Sequence, residues 1–187
     1  MSRLEPLNLE SLDPADRRII ESISGSRRGG LAGPFSVLAH NPRVAAPADA
    51  LHNVFRLGGR LDRRLFELMI CTVAREHETP YAWELHARLA QKAGLASSVL
   101  VDLLAGRAPT NLRNDEQLVY DLSVELLKTK KLSDDRYRVA VEMLGTERLV
   151  EVIAAVGFYA MLCLVLNSFN VPASDGFSFD RSKLTRV

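Results

Sequence analysis

The chain has 187 residues, of which 47% are hydrophobic and 25% are charged, and its formal net charge at pH 7 is +1. This length suits a single domain with a substantial core, and the composition is that of an ordinary soluble globular protein. The densest basic spots, at residues 27–28 and 128–131, are too short for the clustered cations that nucleic acids or anionic membranes require. We therefore expect no nucleic acid and no membrane as partner.

The two cysteines, Cys71 and Cys163, lie far apart and form neither a CxxC motif nor a Cys/His cluster, which argues against a disulfide scaffold and a structural zinc site. The N-terminal residues include early acids and no apolar segment typical of a secretory signal. The most membrane-like stretch, Val152–Leu166, has 15 uncharged residues, fewer than the roughly 20 that span a bilayer. We expect a cytoplasmic protein in which this stretch is a buried helix.

Helical periodicity runs through nearly every segment, and no run alternates as a half-buried strand does, so residues 1–187 are predicted to form one all-α domain. Asp13-Pro14 is typical of a helix start, and the glycine-rich residues that follow this helix complete an N-terminal region of helix and flexible loop over 1–30. A short helix ends before Pro42, and a weaker helix over 43–57 is interrupted near Pro47.

The central part of the chain, 62–95, is predicted to be a pair of adjacent helices. Asp62 caps the first helix, whose apolar residues recur at i, i+3, i+4, i+7 and i+8. Thr79-Pro80 opens the second helix, and Gly94 is the expected left-handed residue at its end.

The C-terminal half is predicted to contain further helices, the last of which is strongly apolar. Asn114 with Gln117 resembles a capping box, and Gly145 separates two helices. The last helix is apolar on most of its circumference from Val150 to Leu166, so it must be central to the fold or covered by another subunit. Residues 173–187 are a polar tail.

Glu67 and His86 are the polar residues on the inward faces of this predicted helix pair. A carboxylate–imidazole pair formed between them would relay protons near neutral pH. The alternatives are that His86 is a structural hydrogen-bonding residue and that Glu67 pairs with Arg64 on the surface. A metal site built from His77, Glu78, Glu84 and His86 has no recognised ligand spacing, so no metal is expected.

Both cysteines have apolar sequence neighbours, which favours inert core residues over reactive thiols. Tyr159 and Asn167 interrupt the last apolar helix. Each is either a buried hydrogen-bonding residue or a contact in a ligand pocket.

The segment DRRLFELMICTVAREHETPYAWELHARLAQKAGL, residues 62–95, closely resembles the core of the carboxymuconolactone decarboxylase family, which includes the AhpD-like alkylhydroperoxidases. The resemblance extends over about residues 30–172 and implies an AhpD-like helical bundle. The redox branch of this family uses Glu…Cys-x-x-Cys-x-x-x-His. Thr79 and Ala82 stand at the two cysteine positions, whereas Glu67 and His86 are retained, so peroxidase or peroxiredoxin-type chemistry is the disfavoured alternative. A substitute role for Cys71 would require its thiol to face the pocket.

The decarboxylase branch, by the same resemblance, removes CO₂ from a γ-carboxy-substituted butenolide in the catabolism of aromatic compounds, without a cofactor. The resemblance implies that His86 donates the proton and Glu67 orients it. We expect Tyr81 or Trp83 to line the pocket, Arg64 to hold a substrate carboxylate, and Tyr159 to be a further contact.

The leading hypothesis is therefore a carboxymuconolactone decarboxylase-like lyase or isomerase that acts on a small carboxylated, lactone-like substrate. A catalytically silent ligand-binding or assembly module on the same fold is a further alternative. Because the last helix is so apolar and relatives form rings, we expect a homo-oligomer, a trimer or a hexamer.

Overall fold

The computed structural model describes residues 2–27, 30–173 and 179, and these residues contain eight α-helices, a short 3₁₀ helix at Leu9–Ser11 and no strand. The all-α prediction is confirmed. Contacts between Cα atoms group the chain into two units, one formed by Met1–Gly59 with Leu164–Pro172 and the other by Arg60–Cys163 with Ala173–Val187. Apart from Ala173 and Phe179, the predicted polar tail lies outside the described residues.

The first unit contains α1 (Pro14–Gly25), α2 (Pro34–Leu38) and α3 (Pro42–Leu57). Asp13 caps α1 as predicted, because its carboxylate accepts hydrogen bonds from the first-turn N–H groups of Ala15 and Asp16. The predicted interruption at Pro47 is wrong, since α3 runs through this proline without a break. Pro47 lies in the second turn of α3, where it removes one backbone hydrogen bond, and the helix nevertheless continues to Leu57.

The second unit contains α4 (Arg63–Glu76), α5 (Pro80–Lys92), α6 (Ser97–Leu104), α7 (Asn114–Thr129) and most of α8 (Asp134–Ser168). Helix α4 lies at the centre of this unit and contacts α5, α6 and α7. Ten consecutive residues of α4, Leu65–Ala74, are buried, so this helix is covered on every side rather than along one stripe. Any polar side chain in this run must find its partner inside the protein.

The ends of these helices follow local sequence signals with one exception. Asp62 caps α4, and Gly94 adopts the predicted positive φ after α5, at 88°. The capping box predicted at Asn114 and Gln117 is wrong, because α7 begins at Asn114 and the Glu116 carboxylate accepts the Arg113 N–H at 2.8 Å. Glu116 therefore satisfies the backbone N–H of Arg113, the residue that precedes α7.

Helix α8 is interrupted at Gly145, where the sequence predicts a boundary between two helices; this residue has φ 76° and ψ 160°. After it, α8 contains an 18-residue stretch that is apolar enough to cross a membrane by length and composition, and half of this stretch is buried within the chain. Core helices of soluble proteins have the same composition. The burial supports the predicted core helix, and the cytoplasmic location stays a prediction.

Gly145 and Gly157 on α8 give a matched pair of substitutions with opposite expected effects. The backbone of Gly145 lies in a region that is essentially restricted to glycine, so Gly145→Ala should lower the free energy of unfolding by about 1–3 kcal/mol. Gly157 is helical, and a Cβ added there meets no atom within 4 Å, so Gly157→Ala should raise it by about 0.5–1 kcal/mol. Urea denaturation followed by circular dichroism measures both. Equal effects of the two substitutions would show that the break at Gly145 stores no strain.

Candidate active site

Glu67 on α4 and His86 on α5 form the predicted carboxylate–imidazole pair. His86 Nδ1 lies 2.7 Å from Glu67 Oε2. The Glu67 side chain is 0% exposed and the His86 side chain is 13% exposed. The acid is thus sealed inside the second unit, and the histidine connects it to the protein surface.

The chemistry of the carboxylate determines which nitrogen of His86 carries the shared proton. An ionised carboxylate only accepts hydrogen bonds, so Nδ1–H donates to Glu67, and Nε2 of the neutral ring keeps its lone pair. Within the described residues, no hydrogen bond to His86 Nε2 is found. Glu67 therefore fixes the orientation of the ring and leaves Nε2 as the nitrogen for proton transfer.

Arg63 forms an ion pair with the second oxygen of the Glu67 carboxylate. Its Nη2 lies 2.5 Å from Glu67 Oε1, one turn earlier on the same helix. The N–H direction is not that of a hydrogen bond, and Oε1 remains buried without a hydrogen-bond donor. The contact therefore balances the charge of Glu67 without satisfying the oxygen. The alternative in which Glu67 pairs with Arg64 on the surface is wrong.

Arg64 is directed at the start of α7, away from the Glu67–His86 pair. Its guanidinium donates to Asp115 Oδ2 at 2.7 Å and to the buried carboxylate of Glu116, and its side chain is 11% exposed. Burial acts to raise the pKa of Asp115, but the hydrogen bond and charge of Arg64, together with backbone N–H groups, lower it by more, so this pKa lies below its usual value. Two protein carboxylates thus already hold the arginine that the sequence suggested for a substrate carboxylate.

An aromatic cluster packs against His86. The Tyr159 ring on α8 meets the His86 ring edge to face, with centroids 5.6 Å apart, and it meets Phe66 in the same way, also at 5.6 Å. Tyr159 is therefore the predicted contact residue that joins the pair. Tyr81 is half-buried on α5, and Trp83 is buried with its ring against Phe179, at 5.9 Å.

The thiols do not supply the missing redox pair. Cys71 and Cys163 are both buried and unbonded to each other. Burial raises the pKa of the Cys71 thiol well above its usual value, and the charge of Glu67 raises it further. Burial also raises the pKa of Cys163 to about 11, although a hydrogen bond with Thr79 acts in the opposite direction. Both thiols therefore stay protonated and unreactive at neutral pH.

Two cavities lie elsewhere in the chain. One, of about 390 Å³, lies in the second unit between the end of α4 and α7, and its lining includes Arg75 and Tyr120. The other, of about 710 Å³, lies between α1 and α3. Neither is lined by Glu67 or His86. In the part of the chain that the structure describes, no three His, Cys, Asp or Glu side chains are grouped to hold a metal ion.

Comparison with known proteins agrees with this class of fold. Residues 44–117 match the model of the carboxymuconolactone decarboxylase family. A crystal structure of the alkylhydroperoxidase AhpD core, an uncharacterized peroxidase-related protein from Ralstonia eutropha JMP134, is similar over 93% of both chains with a TM-score of 0.74 and 17% identity. An uncharacterized peroxidase-related protein from Silicibacter sp. TM1040 is similar over 96% of both chains with a TM-score of 0.71 and 14% identity. No curated protein sequence matches significantly.

The fold and the segment that contains Glu67 and His86 thus define an all-α, AhpD-like protein with a carboxylate–imidazole pair. Residues 44–117 carry the pattern of the carboxymuconolactone decarboxylase family, and the fold is similar to that of an AhpD-core structure. The chain's departure from the redox pattern lies in Thr79 and Ala82, which are both buried and neither of which is a thiol.

The raised pKa values of the two thiols predict slow alkylation of the native protein. Iodoacetamide at pH 8 should label Cys71 and Cys163 at least about 100-fold more slowly in the folded protein than in urea, because only the exposed thiolate reacts. Mass spectrometry of timed samples measures both rates. Rapid labelling of either cysteine in the folded protein would return thiol chemistry to consideration.

Proposed function

We propose that this protein is a carboxymuconolactone decarboxylase-like lyase or isomerase that uses His86 and Glu67 for acid–base chemistry on a small carboxylated, lactone-like substrate. The observation that carries the proposal is the 2.7 Å contact between His86 Nδ1 and the buried Glu67 carboxylate. This contact leaves Nε2 as the nitrogen for proton transfer, in a ring that retains some exposure.

The proposed reaction balances with a single proton from solvent. The bond between the ring carbon and the carboxylate breaks and CO₂ leaves, while the electron pair moves through the ring double bond toward the lactone carbonyl. The imidazolium of His86, stabilised at Nδ1 by Glu67, then delivers the proton on Nε2 to carbon. The step requires no thiol and no external oxidant or reductant, which agrees with a site that contains Thr79 and Ala82.

A peroxidase function is less well supported by the residues, although the two similar crystal structures are named as peroxidase-related proteins. Disulfide exchange requires an accessible thiolate. The two redox positions contain no sulfur, and both cysteines are buried with raised pKa values. We therefore place thiol-dependent peroxide reduction second to proton transfer.

A catalytically silent binding or assembly module is the alternative that one observation favours. Glu67 is completely buried, and neither cavity described above reaches the Glu67–His86 pair. In such a protein the pair would serve only to satisfy a buried charge. Release of CO₂ by the wild-type protein distinguishes an enzyme from this module.

We also propose a homo-oligomer, a trimer or a hexamer, in the cytoplasm. Helix α8 supports this self-association with apolar side chains that remain 40–59% exposed in the second unit: Val139, Met143, Val150 and Ile153. Val139 and Met143 lie one turn apart before Gly145, and Val150 and Ile153 lie one turn apart after it. Such pairs of exposed apolar side chains are more typical of an interface between copies than of a solvated surface.

His86→Ala should abolish turnover and leave the fold intact. With a panel of γ-carboxy-substituted butenolides as substrates, we expect the rate of CO₂ release to fall about 10²–10⁴-fold, because the proton donor is removed. The far-UV circular dichroism spectrum and the oligomer size should not change, since the His86 side chain is at the edge of the core.

Two control variants make this result specific. His40→Ala removes an exposed histidine and should keep full activity. The double variant Cys71→Ser/Cys163→Ser should keep lyase activity if it folds, whereas a thiol-dependent activity would be lost. A His86→Ala protein with wild-type turnover would refute the proposed acid–base role.

A further inference from the structure

Arg63 is the exposed cation at the Glu67–His86 pair. Its side chain is 44% exposed, in contrast to the 0% of Glu67 to which its Nη2 is paired. Within the described residues the Arg63 guanidinium donates no hydrogen bond, so its N–H groups are available to a ligand. A guanidinium with five donors and a single ion-pair contact is poised to bind an anion.

The Phe66 ring limits the freedom of this guanidinium. Arg63 Cζ lies 5.4 Å from the centroid of the Phe66 ring, which is within the range of cation–π attraction. Phe66 in turn meets Tyr159, and Tyr159 meets His86. The exposed cation and the imidazole are therefore linked in two ways, through the aromatic cluster and through the two oxygens of one carboxylate.

Two other arginines of the second unit, Arg64 and Arg88, form hydrogen bonds with protein carboxylates. Arg64 is 11% exposed and holds Asp115 and Glu116. Arg88 donates a hydrogen bond of 2.7 Å to Glu84, at the same i, i+4 spacing as Arg63 and Glu67. This contact involves neither Glu67 nor His86. Arg63 combines exposure, unused donors and a contact with the carboxylate that also holds His86.

We propose that Arg63 binds a carboxylate of the substrate and positions the ring beside His86 Nε2; this inference rests on the proposed function. An arginine that held the departing carboxylate would stabilise the charge that must be lost as CO₂, which would slow the reaction. Arg63 therefore binds a carboxylate that substrate and product share. It is a positioning residue, and it makes the site selective for anionic lactones over their neutral esters.

The test uses an inert anion, 5-oxotetrahydrofuran-2-acetate, whose saturated ring provides no path for decarboxylation, and its methyl ester as the neutral probe. Isothermal titration calorimetry of the full chain measures both dissociation constants. We expect Arg63→Met to weaken binding of the carboxylate about 10- to 100-fold and to leave the ester unchanged, since a charge-assisted hydrogen-bond pair is lost. Arg88→Met is the matched control and should bind both probes as the wild type does.

A second variant covers the case in which Arg63→Met leaves the buried Glu67 too poorly balanced to fold. Arg63→Lys keeps the positive charge but not the planar fork, so it should still bind the carboxylate more weakly than the wild type. On a substrate that the protein turns over, both variants should raise KM much more than they lower kcat. A dissociation constant unchanged in both variants, or equal affinity of the wild type for acid and ester, overturns the proposal.

The two proposals fail in different ways. If His86→Ala abolishes CO₂ release while the Arg63 variants bind the anion normally, the role of Arg63 is refuted and the acid–base function stands. If the wild type binds the anion through Arg63 but releases no CO₂ from any butenolide, the binding site stands and the lyase function is refuted. No detectable binding of the anion by the wild type at millimolar concentration also overturns the role of Arg63.

Discussion

The buried carboxylate of Glu67 is the constraint on which the site depends. A charge removed from water costs several kcal/mol unless partners balance it, and α4 is buried over the whole run that contains this residue. His86 meets one oxygen and Arg63 meets the other. Both partners therefore balance a charge that the fold has buried, and this explains how an imidazole and a partly exposed guanidinium come to contact the same carboxylate.

The substitution of the two redox positions changes the chemistry that this scaffold supports. With Thr79 and Ala82 in place of thiols, the remaining cysteines are core residues whose pKa values burial raises. The carboxylate and the imidazole are unaffected by this change, because their contact involves neither position. A carboxylate–imidazole pair without nearby thiolates is the arrangement that our proposed reaction, which breaks a bond to carbon and returns a proton, requires.

Local patterns in the sequence predicted much of the fold and the central pair. The caps at Asp13 and Asp62, the positive φ of Gly94 and the helix boundary at Gly145 follow from single-residue chemistry. The Glu67–His86 contact was predictable because it joins the inward faces of two adjacent helices.

The identity of the arginine at the pair was not predicted, although the i, i+4 rule favours Arg63 over Arg64 as the partner of Glu67. That choice depends on which side of α4 meets α7, which is a tertiary property. The burial of α4 on all sides has the same origin, because only the contacts of α5, α6 and α7 reveal it. Three further points stay predictions: the catalytic role of the pair, the oligomer and the substrate. Each of them depends on molecules outside this chain.

The central claim is that Glu67 fixes the tautomer of His86, and nitrogen-15 NMR of the histidine side chains tests it most directly. At a pH at which the ring is neutral, we expect a proton on His86 Nδ1 in a strong hydrogen bond and an unprotonated Nε2. A neutral ring with its proton on Nε2 and a bare Nδ1 would contradict the account.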